Sequence, residues 1–205
     1  MRPSLIAFDV DGVLLQPKSS WNTIHNYFGV KNEESLRAFL KGEIGYQEFI
    51  DRDVNLWLNK QGRITRSDFH RIARDIMPNP NFEYLKEFLR EFGGNKIAIS
   101  GGIDVIVSKV GQYFDLDKIY SNALVFKNDV LVGGTAVVNP HEKGLFLEKY
   151  RGHKVSIGDS EWDRDMFKNS DYSILFNSDS DFDFVDCIIH GNDLRDLTNV
   201  LKDLK

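Results

Sequence analysis

The sequence predicts an α/β protein: a doubly wound parallel sheet, with a bundle of helices inserted after its first strand. Three observations carry that expectation. Short runs of β-branched and aliphatic residues alternate with amphipathic stretches, the pattern of strands covered by helices. Several of those runs are apolar at nearly every position, as strands buried on both faces are. Residues 17–78 carry helical spacing with no convincing strand among them.

The first strand is expected at Leu5–Phe8. Helical faces follow at Trp21, Ile24, Tyr27 and Phe28, at Leu36, Phe39 and Leu40, and at Phe49, Ile50, Val54, Trp57 and Leu58. A fourth face holds Phe69, Ile72, Ala73 and Ile76, with Thr65 and Asp68 placed as its capping pair. Pro78 and Pro80 stop that helix and return the chain to the sheet. Phe82, Leu85, Leu89 and Phe92 then share a helical face, as do Ile103, Ile106, Val107 and Val110 after a strand at 97–100. A strand at 119–121 leads into an antiparallel excursion over 123–126, a polar turn at 127–129, 130–132 and 136–138, punctuated by Gly133 and Gly134. A helix is expected to open at His141 and carry Leu145, Phe146 and Tyr150. Strands at 155–157, Tyr172–Phe176 and 188–189 and a helix through Leu194, Leu197, Val200, Leu201 and Leu204 complete the chain. The expected division is residues 1–16 and 79–205 as the α/β core and 17–78 as a helical domain.

Composition excludes several classes. The chain has 205 residues, 41% of them hydrophobic, enough for one core and a smaller appended module. No run of 18 apolar residues exists, so no transmembrane helix is expected, and residues 1–8 lack the apolar region of a signal peptide. A formal net charge of −5 with scattered basic residues argues against nucleic acid as a partner. The densest basic cluster, Arg63, Arg66, Arg71 and Arg74, reads as a solvated helix face. Cys187 is the only cysteine and sits in an apolar run, so it reads as a small buried hydrophobe in a protein of the reducing cytoplasm.

The chemistry gathers at strand ends. The first strand runs into Asp9-Val10-Asp11-Gly12: two carboxylates two residues apart at the edge where open α/β sheets bind ligands. Like charges that close call for a cation, and Mg²⁺ is the natural hard partner for oxygen ligands; an Asx-turn is the plain alternative. Ser100-Gly101-Gly102 offers a hydroxyl and closely approachable amides ahead of a helix, an anion site or simply a glycine turn. Lys143-Gly144 can bring an ammonium to the same pocket, although a lysine in such a place is usually solvated. Gly158-Asp159 and Asp163 add a second carboxylate pair, with Asp163 alternatively a helix cap.

In this order (acid pair, serine, lysine, acid pair) the residues resemble the haloacid dehalogenase superfamily, and its phosphoserine-phosphatase-like branch in particular. The resemblance spans residues 5 to 176. It implies a Rossmann-like core with residues 17–78 as a helical cap domain. It implies an Mg²⁺-dependent phosphatase acting on a small phosphate monoester, with Asp9 as nucleophile and Asp11 as general acid and base. Ser100, Gly101 and Lys143 would bind the phosphoryl group; Asp9, Asp11 (through its backbone carbonyl) and Asp159 would hold the metal. Asp163 would anchor the metal through water or hold Lys143. The pattern is broken at specificity positions: Lys18 stands where the branch has a glutamate facing the substrate ammonium, Asp53 near its carboxylate-gripping arginine, and Trp162 in place of an asparagine. Those exchanges argue against phosphoserine. A phosphomutase of the same superfamily and a phospho-accepting signalling or binding module remain alternatives.

Overall fold

The computed structural model describes residues 2–204. Seven strands form one sheet: β1 (Leu5–Phe8), β2 (Asn95–Ile103), β3 (Lys118–Lys127), β4 (Val130–Thr135), β5 (Lys154–Gly158), β6 (Tyr172–Phe176) and β7 (Cys187–Ile189). Their order is β4-β3-β2-β1-β5-β6-β7, parallel throughout except where β3 meets β4. This is the doubly wound, Rossmann-like sheet that the sequence predicts. β1 lies in the middle because its four residues, all fully buried, are apolar on both sides: Ile6 and Phe8 join the larger apolar cluster on one face, Leu5 and Ala7 a second cluster with Ile97, Ile99 and Met166 on the other. A side chain of that size, fully buried, contributes about 1.5–3 kcal/mol.

Between β1 and β2 lie α1 (Ser20–Phe28), α2 (Glu33–Leu40), α3 (Tyr46–Gln61), α4 (Arg66–Ala73) and α5 (Phe82–Glu91). Ser19 caps α1, its hydroxyl accepting from the Asn22 N–H, and Gly29 closes it in the left-handed region at φ 64°. Thr65 and Asp68 form a complete capping box on α4. Phe28, Trp57 and Phe69 meet inside this helical block, and the apolar cluster they belong to runs on into that of the sheet. α6 (Asp104–Val107) and α7 (Val110–Tyr113) follow β2; α8 (Arg164–Lys168) and α9 (Leu194–Asp203) belong to the second half. No helix among the described residues is long and apolar enough to cross a membrane.

Four sequence expectations are corrected. The strand at 119–121 and the excursion at 123–126 are one strand, β3, parallel to β2 at its start and antiparallel to β4 at its end. Residues 136–138 form no strand, because side-chain amides take their N–H groups: Gln47 Oε1 accepts from Ala136, and Asn122 Oδ1 from Val137 and Val138. The segment Pro140–Phe146 is a kinked 3-10 turn rather than a helix, since Asp165 Oδ2 captures the Gly144 N–H at 2.7 Å. The helix expected over 103–110 is broken into α6 and α7, with the Lys109 ammonium reaching back to the Ala73 and Arg74 carbonyls at the end of α4. Cys187 is half-buried against the main cluster.

Candidate active site

Strand register builds the site. Phe8 is paired with Ala98 on one side and Ile157 on the other, so Asp9, Ser100 and Asp159 emerge at the same sheet edge. The Asp9 N–H donates to the Ile157 carbonyl at 2.8 Å, carrying the pairing one step beyond the strand. Between Ile99 and Ile103 the register of β2 against β3 shifts, which lifts Ser100 and Gly101 out of the regular ladder. Gly102 is required by close approach: a Cβ there would lie 2.4 Å from Ser20 Oγ and 3.0 Å from Asp11 Oδ2. Gly12 is required twice over, by φ +75° and because its Cβ would fall 2.2 Å from Asp159 Oδ2. The Gly12 carbonyl is pinned by Asn79 Nδ2 at 2.9 Å and Asn177 Nδ2 at 2.7 Å.

At the centre lies Lys143, fully buried, its Nζ 3.0 Å from Asp9 Oδ1 and 2.6 Å from Asp163 Oδ1. Burial alone would push this ammonium down, but Asp163 and Asp9 reverse that and hold it above its usual range. Burial pushes the Asp9 carboxyl well up, Asp163 adds to the rise, and Lys143 opposes it. The Val10 N–H donates to the same Oδ1, so Asp9 Oδ2 carries no hydrogen bond among the described residues. Burial also raises Asp11, against the pull of the Ser20 N–H, which donates to Oδ2 at 2.6 Å. Asp11 Oδ1 is buried with no partner. Asp163 is fully buried behind the cavity, its Oδ2 accepting from the Asp159 N–H at 3.0 Å. Asp159 is pushed up to about 6, by burial and then by Asp163, with the Lys18 ammonium 3.2 Å away opposing.

These residues fit a hard divalent cation. Asp9, Asp159 and Asp163 each offer a carboxylate oxygen, all within 4.8 Å of one another and all buried. Three carboxylates that close, with burial raising two of them, are relieved by a cation, and an all-oxygen donor set suits Mg²⁺. The orphaned Asp11 Oδ1 points to a missing hydrogen-bond partner at the same place.

A cavity of about 510 Å³ opens above this cluster. Asp9, Asp11, Ser100, Gly101, Lys143 and Asp159 all line it. So does Lys18, whose ammonium also donates to the Asn177 carbonyl. Asp53 does not: its carboxylate is fully buried inside the helical block, accepting from His25 Nε2, Asn32 Nδ2 and Ser35 Oγ, while His25 Nδ1 accepts from Trp57 Nε1. The substrate-facing position assigned to Asp53 from the sequence is therefore corrected. Trp162 lines the cavity and stacks on Phe39 from α2, with ring centroids 6.4 Å apart and planes 13° apart. Tyr46, Asn122 and Ser20, which the sequence did not single out, complete the site together with Trp21. The Gly101 carbonyl accepts from Trp21 Nε1 at 2.9 Å, Tyr46 Oη at 3.1 Å and Asn122 Nδ2 at 2.7 Å. Ser20 joins Asp11 to β2, its Oγ accepting from the Ile103 N–H. Only Asn79, a polar residue held between two prolines and fully buried, left a sequence signal that could have been read.

No family model matches the chain. Phosphoserine phosphatase of Methanocaldococcus jannaschii is 24% identical over 213 residues, covering 98% of this chain and 99% of the relative. Phosphoserine phosphatase of Archaeoglobus fulgidus is 26% identical over 210 residues, covering 97% of this chain and 60% of that longer protein. A solved structure described as a phospho-aspartyl intermediate analogue of phosphoserine phosphatase superposes with a TM-score of 0.77 at 22% identity, over 98% of this chain and 99% of its own.

Proposed function

We propose, from the premise that this chain is a haloacid dehalogenase superfamily hydrolase of the phosphoserine-phosphatase-like branch, that it cleaves a small phosphate monoester through an aspartyl-phosphate on Asp9 with the help of Mg²⁺. The chain is a phosphoric monoester hydrolase; the metal, the residue roles and the substrate are the proposal. The observation that carries it is the buried Lys143 bridging Asp9 and Asp163 beside Asp159, with Asp11 in the same loop.

With Oδ1 held by Lys143 and the Val10 N–H, Asp9 Oδ2 is the oxygen left to attack phosphorus. Asp11, whose carboxyl burial raises, is the acid placed to deliver a proton from its unpartnered Oδ1 to the leaving alkoxide. As a carboxylate it then takes a proton from the water that opens the aspartyl-phosphate. Ser100 Oγ accepts from the Gly102 N–H, which leaves its own proton to donate to a phosphoryl oxygen. Lys143 offers a third N–H to the same group after binding Asp9 and Asp163, and Asp163 keeps it aimed. Asp9, the Asp11 carbonyl and Asp159 would hold Mg²⁺, which would offset the negative charge of nucleophile and substrate. Residues 17–78 act as a cap that shields the cavity from water.

The test is inorganic phosphate release from a panel of monoesters with Mg²⁺ and with EDTA, for wild type and Asp9→Asn. Metal-dependent release that vanishes in Asp9→Asn supports the reading; release that survives in Asp9→Asn overturns it.

A further inference from the structure

We infer that the ester this cavity takes carries a flat, uncharged leaving group, a primary alcohol bearing an aromatic ring. The inference rests on the phosphatase reading above and names the substrate class of that same site. The cavity is polarised. Asp9, Asp11, Lys143 and Asp159, with Lys18 against Asp159, sit together at the phosphate end, and Asp179 is the remaining charged residue of the lining. The rest of the lining carries Trp21, Leu36, Phe39 and Phe49 from the helical block and Pro140 and Trp162 from the core, with uncharged polar residues, Asn22, Asn32 and Tyr46 among them, between these. Its volume of about 510 Å³ leaves room well beyond a phosphate group.

Charge excludes an amino-acid leaving group. No arginine lines the cavity among the described residues. Of its two lysines, Lys143 is held between Asp9 and Asp163, and Lys18 between Asp159 and the Asn177 carbonyl. A substrate carboxylate pressed against the aromatic wall would lose its hydration with no cation to replace it. An ammonium would find only Asp179, on the exposed rim. Ring geometry favours an arene. Phe39 stacks nearly parallel with Phe49 (5.2 Å, 12°) and with Trp162 (6.4 Å, 13°), so rings from the helical block and the core join in one aromatic wall of the cavity. Another ring joins such a wall by offset or edge contact.

The test compares benzyl phosphate with O-phosphoserine and glycerol phosphate, all esters of primary alcohols, so the comparison reads the pocket and not the leaving group. Wild type with Mg²⁺ is expected to prefer benzyl phosphate in kcat/KM by about tenfold or more. The inert Asp9→Asn protein, titrated with the same three esters by calorimetry, is expected to bind them in the same order without turnover. Phe39→Leu, which keeps the packing apolar, and Trp162→Ala are each expected to raise KM for benzyl phosphate severalfold more than KM for phosphoserine. Preference for phosphoserine, or an equal rise in both KM values, overturns the inference and leaves the phosphatase reading standing. Absence of hydrolysis by wild type alongside tighter binding of benzyl phosphate supports the pocket assignment and sinks the phosphatase reading.

Discussion

Replacing Lys143 by Met tests the centre of the site. The ammonium is fully buried between Asp9 and Asp163, at 3.0 and 2.6 Å. Methionine fills similar volume and removes the charge, leaving both carboxylates buried without their cation. Breaking a buried pair in this way costs about 3–5 kcal/mol. In a chain of this size that lowers the melting temperature by about 6–20 °C. The sign of the pH dependence follows from Asp9, which burial and Asp163 already raise and which Lys143 pulls down. Without Lys143 the folded state holds the Asp9 proton still more tightly than the unfolded chain. The variant's stability is therefore best retained below the ordinary carboxylate range and is lost as pH rises through the raised value. Urea unfolding in EDTA is expected to show a smaller deficit near pH 5 than near pH 8. A double-mutant cycle with Asp163→Asn is expected to give a coupling above about 1 kcal/mol. A variant within about 0.5 kcal/mol of wild type at neutral pH, or one whose deficit is the same at both pH values, refutes the reasoning.

Asp11→Asn is expected to cost about 10²–10⁴-fold in kcat on alkyl esters and much less on an aryl ester whose leaving group needs no proton, read by phosphate release. Equal losses on both would remove Asp11 as the acid. Gly12→Ala places a methyl 2.2 Å from Asp159 Oδ2 at φ +75°; about 1–2 kcal/mol of backbone strain is expected in thermal melts, together with a higher Mg²⁺ requirement. Asp68→Ala removes half of the α4 capping box and is expected to cost about 1 kcal/mol. The Asp68 carboxyl is held below its usual value, chiefly by the Thr65 N–H, so that contribution is present above the ordinary carboxylate pKa and is lost as pH falls through the lowered one. Melts of wild type and variant should therefore converge in acid. Mg²⁺ at a hundredfold excess over its Kd is expected to stabilise the folded chain by about 2.7 kcal/mol in differential scanning calorimetry. Asp159→Asn should reduce that gain, and an unchanged gain would remove Asp159 from the ligand set.

The sheet was legible because a strand buried on both faces has little choice of composition. Leu5–Phe8 and Tyr172–Phe176 are apolar runs ending at turn residues, and the structure has them as β1 and β6. The placement of the acids at those ends was legible for the same reason: acids following a fully apolar strand are conspicuous, and the structure gathers Asp9, Asp11, Asp159 and Lys143 around one cavity. The segment at 140–146 was misread because its fate rests on one long-range bond, the Gly144 N–H to Asp165, which no local spacing records. The same limit hid Tyr46 and Asn122, 55 and 21 residues from the carbonyl they share. Asp53 was misplaced because a charged residue on a helix can point either way. His25, Asn32 and Ser35, which draw it inward, lie on other turns of the chain.

Those long-range bonds explain how the helical block and the phosphate-binding end act on each other. The Gly101 carbonyl has two lone pairs and three donors, so Trp21, Tyr46 and Asn122 share it. Asn122 Nδ2 also donates to Tyr46 Oη at 2.9 Å, which ties the two together. Trp21 and Tyr46 come from α1 and α3, Asn122 from β3, and Gly101 from the irregular end of β2. Loss of the helical block's contacts would strip two donors from that carbonyl and free the peptide plane between Gly101 and Gly102. Approach of the helices fixes that plane, and with it the direction of the Ser100 hydroxyl and the Gly102 N–H it accepts from. The Phe39–Trp162 stack lies across the same junction between the helical block and the core. Contact with the helical block and the orientation of the Ser100–Gly102 loop are thus coupled in this fold, because one backbone carbonyl serves both.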